Sequence, residues 1–268
     1  MKNPIIIALD NVESLEELRP LVQTLAPHVG MFKVGLELIT RFGTPTAVDF
    51  VHNLGGRVFL DGKFNDIPNT VAQATKAAVN LGVEMFNLHA SCGLEAMRAA
   101  ASVKGKSKML AVTVLTSLTP ADIWNMYVQS FSPLVVSRFE KEKGFVPFQS
   151  TIDDYLPGVV ESLALQAKKA GADGIICSPQ ELERLYYNPK LKPLIKVTPG
   201  VRPEWADTND QKRVMTPAQA IIAGADYLVI GRPITKAKDR SPAQAAQAIL
   251  EEITPFIQRS NPNADSPK

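Results

Sequence analysis

A short motif recurs three times along the chain and joins a helical segment to an apolar run each time. It occupies residues 81–84, 170–173 and 223–226, and in each copy a glycine precedes an acidic residue by two positions. Glycine commonly ends a helix because it adopts a left-handed backbone without steric cost. The recurrence therefore predicts repeated helix-then-strand units.

Eight apolar runs alternate with segments of helical periodicity, and this alternation decides the predicted fold class. The predicted strands cover residues 5–9, 31–36, 58–61, 84–89, 109–115, 174–177, 194–198 and 227–230. The first helix begins after Ser14, which forms a predicted capping box with Glu17. Eight such units predict a (β/α)8 TIM barrel. A doubly wound open sheet is the alternative, but no G-x-G-x-x-G motif follows the first strand.

The predicted barrel spans residues 1–258 as a single domain, because a chain of 268 residues with 45% hydrophobic content can fill one large core. Residues 119–151 are additional to the regular alternation of strands and helices, and they form a predicted insertion rich in aromatic side chains. The insertion is compatible with a helical cover and with a contact between subunits. Residues 259–268 are polar and are predicted to be a disordered tail.

Charge and cysteine content exclude several classes of protein. A formal net charge of +2 gives no support for nucleic-acid binding. No apolar run approaches the roughly 20 residues of a membrane helix, and the N-terminal run is too short for a signal peptide. Cys92 and Cys177, the only cysteines, provide no disulfide framework and favour a reducing compartment. We therefore expect a cytoplasmic protein without membrane or nucleic-acid partners.

Residues 60–70 place three charged side chains at the end of the third predicted strand. Asp61 and Lys63 are two positions apart, so that on a strand they share a face, and Asp66 follows on the loop. Carboxylates that flank an ammonium group shift each other's pKa and can handle a proton. Asp66 can reach this pair from the side or extend to a partner subunit.

Polar residues also occur at or near most other predicted strand ends, where barrels of this type carry their active sites. They are Asp10, Lys33, His89, Thr116, Ser117, Arg202 and Arg232. Residues 199–202 and 231–232 follow the seventh and eighth strands, and their glycine–arginine content predicts a phosphate site. Residues 203–211 form a predicted lid, with Gln211 reaching the phosphate. We interpret His89 as a structural histidine, and Thr116 and Ser117 as hydrogen-bonding partners of a substrate.

These strand ends resemble those of the orotidine 5'-phosphate decarboxylase family. Residues 60–70 are similar to the family signature, and residues 7–10, 32–35, 87–90, 114–117, 197–202, 209–211 and 229–232 also match. Two positions depart from the pattern. Gly62 stands where the family usually has an apolar residue, and Asn65 stands where a histidine is common.

The resemblance implies a homodimeric TIM barrel that converts orotidine 5'-phosphate to UMP and carbon dioxide without a metal or other cofactor. It implies catalytic roles for Lys33, Asp61, Lys63 and Asp66, with Lys63 protonating C6 of the pyrimidine and Asp66 donated by the other subunit. The implied substrate-binding residues are Asp10, Lys33, Asp61, Ile67, Pro68, Thr70, Thr116, Ser117, Pro199, Arg202, Gln211, Gly231 and Arg232.

Two other functions remain open at the level of sequence. A Mg²⁺-dependent sugar-phosphate decarboxylase on the same barrel needs a further carboxylate to bind the metal, and Glu37 is a weak candidate for it. The second strand provides Lys33 instead, which disfavours this function. A non-catalytic barrel that binds nucleotide phosphates is the other alternative. The presence of Asp61, Lys63 and Asp66 argues against that function.

Overall fold

A computed structural model describes residues 3–127, 148–206 and 215–257. Eight parallel strands close into a barrel in sequential order, and the last strand pairs with the first. The strands are β1 Ile5–Leu9, β2 Met31–Val34, β3 Val58–Phe64, β4 Met85–His89, β5 Lys108–Val112, β6 Gly174–Ile176, β7 Ile195–Thr198 and β8 Tyr227–Ile230. The predicted (β/α)8 TIM barrel is confirmed.

Helices connect the strands around the outside of the barrel. They are α1 Leu15–Leu25, α2 Leu36–Phe42, α3 Thr44–Asn53, α4 Pro68–Asn80, α5 Leu94–Ala101, α6 Pro120–Tyr127, α7 Phe148–Ala170, α8 Leu182–Tyr187, α9 Pro217–Ile222, α10 Arg232–Thr235 and α11 Pro242–Ile257. At the start of α1 the Glu17 carboxylate accepts a hydrogen bond from the Ser14 N–H at 3.1 Å, as expected of a capping box. Among the described residues, none of the helices is both long and apolar enough to cross a membrane.

The interior of the barrel is layered, because successive side chains of a strand point alternately to the helices and to the barrel axis. The apolar interior layer contains Ile6, Ala8, Met31, Phe59, Met85, Leu110, Val197, Tyr227 and Val229. Two positions further along β2, β3 and β4, the same face carries Lys33, Asp61 and Asn87. A polar layer therefore lies on an apolar one, at the carboxyl-terminal end of these strands.

Three predicted strand boundaries near this layer are wrong. β2 ends at Val34 rather than at 36, because Gly35 is the N-cap of an unpredicted helix that begins at Leu36. β3 continues to Phe64 rather than ending at 61, because its last residue pairs with β4 beyond a register shift. β5 ends at Val112 rather than at 115, since its neighbour β6 contains only 3 residues.

The predicted insertion, residues 119–151, is described in part. Its first portion forms α6, where Ile123 is buried and the Trp124 ring meets the Tyr155 ring edge-on with 5.9 Å between centroids. Tyr155 belongs to α7, so this portion packs against a barrel helix. Residues 128–147 of the insertion, residues 207–214 around the predicted lid and the predicted tail 259–268 lie outside the described residues.

Candidate active site

A cluster of three charged side chains lies at the carboxyl-terminal end of β2 and β3. Lys63 Nζ lies 2.6 Å from Asp61 Oδ1, and Lys33 Nζ lies 3.2 Å from Asp61 Oδ2. The exposed fraction is 11% for the Asp61 side chain, 17% for Lys33 and 27% for Lys63. One carboxylate is thus held between two ammonium groups with little access to water, where charge interactions are stronger than in bulk solvent.

The protonation state of Asp61 follows from this environment. Burial alone raises the pKa of its carboxyl group. The ammonium groups of Lys33 and Lys63, with hydrogen bonds from Lys63 and the Asn87 amide, outweigh burial and hold the pKa below the ordinary value of 3.8. Asp61 is therefore ionised at neutral pH.

The backbone of Lys63 is left-handed, with a φ of 49°. The strand register shifts between Leu60 and Phe64, and Asn87 Oδ1 accepts a hydrogen bond from the Lys63 N–H at 2.7 Å. The structure brings Asp61 and Lys63 together as predicted. An irregularity in the strand, rather than regular alternation, places this lysine.

Asn87 is a residue of the site that the sequence-based prediction omitted. It is fully buried in β4, and its Nδ2 donates a hydrogen bond to Asp61 Oδ1 at 2.6 Å. The signal in the sequence is an amide inside an apolar run, two positions before His89. Buried polar side chains are nearly always hydrogen-bonded, so this amide indicates a polar neighbour.

Asp10 is exposed at the end of β1, and the loop that carries it is held by α2. The two oxygens of Glu37 accept hydrogen bonds from the N–H groups of Asn11 at 2.9 Å and Val12 at 3.2 Å. The bond from Asn11 is the main reason that the pKa of Glu37 is lowered. Glu37, the candidate metal ligand of the alternative function, thus has both oxygens engaged by this loop. In the described part of the chain, no three or more His, Cys, Asp and Glu side chains are grouped so as to hold a metal ion.

The two segments predicted to bind phosphate leave the barrel side by side, because β7 and β8 are hydrogen-bonded neighbours. Gly200 has a φ of 76°, a conformation that favours glycine, and Arg202 is only 6% exposed. The Arg202 N–H donates to the Met215 carbonyl at 3.0 Å, which joins the two ends of the loop between β7 and α9. Three other predicted site residues in these two segments are half-buried: Pro199, Gly231 and Arg232.

The other predicted site residues within the described ranges lie on the exposed rim of the same face. Thr116 and Ser117 are exposed in the turn that follows β5, and residues 66–70 are exposed between β3 and the first turn of α4. The Asp66 carboxylate accepts a hydrogen bond from the Ile67 N–H at 2.7 Å, and the Ile67 side chain is 67% exposed. Gln211 lies outside the described residues.

His89 follows Asn87 on the interior face of β4 and is half-buried. Burial lowers the pKa of its imidazole, and the charge of Lys63 lowers it further against the opposing effect of Asp61. A histidine with a lowered pKa is neutral at pH 7. A neutral imidazole suits the predicted structural role.

Comparison with known proteins identifies the family. A family model described as "Orotidine 5'-phosphate decarboxylase / HUMPS family" matches residues 3–249. The chain belongs to this family. Proteins named orotidine 5'-phosphate decarboxylase from Geotalea uraniireducens and Geobacter sp. (strain M21) are 43% and 45% identical, over 93% of this chain and 94% and 95% of their own. The crystal structure of orotidine 5'-phosphate decarboxylase from Lactobacillus acidophilus is similar with a TM-score of 0.72 and 32% identity, covering 94% of this chain and 99% of that one.

Packing restricts the side chain at Gly62, where the resemblance in sequence leads us to expect an apolar residue. A Cβ at this position would lie 2.8 Å from Cε1 of Phe64, whose ring packs against Phe86 with 6.1 Å between centroids. A larger side chain at 62 would therefore displace the Phe64 ring. Asn65, the other departure, is exposed, and the Asp61–Lys63 ion pair forms with both residues in place.

Proposed function

We propose that this protein decarboxylates orotidine 5'-phosphate to UMP and carbon dioxide in pyrimidine biosynthesis, without a metal or other cofactor. The observation that carries the proposal is the half-buried cluster in which Lys63 and Lys33 lie 2.6 and 3.2 Å from one carboxylate. This cluster occurs in a chain that is 43–45% identical to proteins bearing the name of this activity.

The cluster suits the electronic demand of the reaction. Cleavage of the bond between C6 and the carboxylate leaves an electron pair at C6, in the plane of the pyrimidine ring. The ring carbonyls delocalise an in-plane pair poorly, so the site has to stabilise the charge electrostatically. The Lys63 ammonium offers that stabilisation and the proton that C6 takes up. Each tenfold increase in rate requires about 1.4 kcal/mol of transition-state stabilisation.

Asp61 acts on the substrate carboxylate in this proposal. Because its pKa is lowered, it stays ionised and sets a negative charge beside the group that leaves. The repulsion is relieved as neutral carbon dioxide departs, which favours the transition state over the bound substrate. Lys33 balances the charge of Asp61, and Asp66 completes an alternating series of charges.

The remaining residues bind the substrate away from the reacting carbon. Asp10 and Lys33 hold the ribose hydroxyls, and Thr116 and Ser117 meet the base and nearby groups. The phosphate side is formed by Arg202, Gln211, Gly231 and Arg232, while the residues lining the substrate are Ile67, Pro68, Thr70 and Pro199. Binding energy from the remote phosphate closes the loop after β7 and organises the site.

Residues 1–258 form one catalytic domain in this proposal, and the protein acts as a homodimer. Asp66 and Ile67 are consistent with the dimer, because they lie exposed on the same face as the charged cluster and are accessible to a second subunit. A cytoplasmic location is part of the proposal, since both cysteines, Cys92 and Cys177, are free.

The test is to follow the absorbance of orotidine 5'-phosphate with excess EDTA present. We expect rapid loss of the orotate chromophore with one UMP formed per substrate consumed. Lys63→Ala should abolish turnover while its circular dichroism spectrum stays that of the wild type. Ser102→Ala, which alters an exposed hydroxyl on the outside of the barrel, is the control and should keep full activity.

Two results would contradict the proposal in different ways. Activity that disappears in EDTA and returns with Mg²⁺ would favour the metal-dependent sugar-phosphate decarboxylases. Tight binding of the nucleotide without turnover, by folded wild-type protein, would favour a non-catalytic barrel.

A further inference from the structure

The hydrogen bonds of Asn87 connect the two central charged residues of the site. Its Nδ2 donates to Asp61 Oδ1 at 2.6 Å, and its Oδ1 accepts from the Lys63 N–H at 2.7 Å. The first bond acts on the carboxylate side chain and the second on the backbone of the lysine. Asn87 itself has no exposed surface.

The amide of Asn87 matches both partners at this position. An ionised carboxylate accepts hydrogen bonds only, and a backbone N–H donates only, so the residue between them needs one donor and one acceptor. A carboxylate at 87 would meet the Asp61 carboxylate with like charge, and an aliphatic side chain would leave both groups unpaired. The two partners also fix which end of the amide faces each of them.

The bond to the backbone matters because of the conformation of Lys63. A left-handed φ costs a non-glycine residue about 1–2 kcal/mol, so it persists only where the surroundings enforce it. The Asn87 oxygen holds the N–H of this residue, at the register shift between Leu60 and Phe64. In this conformation Lys63 Nζ returns to Asp61 Oδ1, the same oxygen that Asn87 bonds.

We propose that Asn87 is a positioning residue for decarboxylation, which sets the Lys63 ammonium and the Asp61 carboxylate in the geometry that the reaction needs. This inference rests on the proposed function. Asn87 acts through these two residues, and its loss should lower kcat far more than it changes KM. A misplacement of about 1 Å at a reacting group can cost about a hundredfold in rate.

The test compares Asn87→Ala and Asn87→Asp with the wild type. We expect kcat of Asn87→Ala to fall about a hundredfold while KM for orotidine 5'-phosphate changes less than about threefold. Asn87→Asp keeps the acceptor for the Lys63 N–H but sets a second carboxyl against Asp61. Two adjacent carboxyls share a proton, so one pKa rises strongly.

The pH profile separates positioning from a merely structural role. Protonation of the introduced carboxyl restores a donor toward Asp61, so kcat of Asn87→Asp should rise relative to the wild type as the pH falls from 8 toward 5. The titratable groups around this position are Asp61 and Lys63 on the neighbouring β3, His89 on β4 itself, and Lys33 on β2, which pairs with Asp61. Loss of structure alone would lower kcat equally at every pH.

Ser107→Ala is the matched control, because it removes another buried hydrogen bond, from Ser107 Oγ to the Val83 carbonyl at 2.7 Å, at the opposite end of the barrel. It should lower thermal stability and leave kcat unchanged. The inference is overturned if either folded Asn87 variant keeps kcat within about twofold of the wild type at pH 8, or if the pH profile of Asn87→Asp runs parallel to that of the wild type. An inactive wild type would instead contradict the proposed function.

Discussion

At Lys63 the backbone conformation is unfavourable for the residue that occupies it, which has a φ of 49°. Such strain is common where a reacting group has to be held in one orientation. Replacing the side chain by alanine removes the ammonium but keeps the strain, because the Cβ remains. Glycine at this position removes both.

We therefore expect Lys63→Gly to be more stable than Lys63→Ala, by about 0.5–1 kcal/mol in the free energy of unfolding. Urea unfolding of the two inactive variants measures the difference. The control is Lys76, a solvent-exposed residue in the middle of α4. There the order should reverse, with the glycine variant less stable by about 1 kcal/mol. If the glycine variant is the less stable one at both positions, the strain at Lys63 is negligible.

At the scale of elements, the recurring motif stabilises the amino-terminal end of the barrel. Its acidic residues, Glu84, Asp173 and Asp226, lie just before β4, β6 and β8. Glu84 pairs with Arg57 at 3.4 Å, and Asp226 accepts from the backbone N–H of Lys196 at 2.8 Å. Each carboxylate thus links the start of its own strand to the preceding strand or to the residue just before that strand. This end of a barrel carries stability, whereas the opposite end carries function.

Asp173 is the most heavily bonded of these residues. It lies 2.5 Å from Lys104 Nζ and 3.4 Å from Lys108 Nζ, and it accepts from the Met109 N–H at 2.9 Å. Burial alone raises the pKa of its carboxyl group, but the hydrogen bonds from Lys104 and Met109 and the charges of both lysines lower it overall.

We expect Asp173→Asn to lower the free energy of unfolding by about 2 kcal/mol at pH 7 and to leave kcat unchanged. Because the folded-state pKa is lowered, the stabilisation by Asp173 is present above the unfolded pKa of about 4 and is lost as the pH falls through the folded value. The gap between variant and wild type should be constant from pH 5 to 7 and shrink as the pH falls below about 4. Glu95→Gln, which breaks the exposed pair with Arg98, should change stability by less than about 0.5 kcal/mol throughout. A gap of the same size at pH 3 as at pH 7 would contradict this account.

At the scale of the whole molecule, position along the chain predicted the fold and much of the site. A parallel barrel brings all strand ends to one face, so Lys33, Asp61 and Lys63 could be expected together without knowledge of any contact. Asn87 was not predicted, because an amide within an apolar run shows its importance only when its partners on another strand are known. The left-handed Lys63 was not predicted either, since it depends on the pairing of β3 with β4.

The role of Asp66 also belongs to the whole molecule, because the proposed site takes this residue from the other subunit. Lys63→Ala and Asp66→Asn should each be inactive alone. In a mixed dimer, one site would carry both substitutions and the other would carry neither. Equal amounts of the two variants, unfolded together and refolded, should therefore recover about a quarter of wild-type activity through random pairing of subunits.

A mixture of Lys63→Ala with Lys33→Ala is the control, since both lysines bond Asp61 within one chain and no mixed dimer then contains an intact site. Mass spectrometry of differently tagged subunits would establish that mixed dimers have formed. Recovery in the first mixture and none in the second requires that Asp66 acts across an interface. If mixed dimers form but the first mixture stays inactive, Asp66 serves the site of its own chain, and the exposed Ile67 beside it loses its assigned place at the interface.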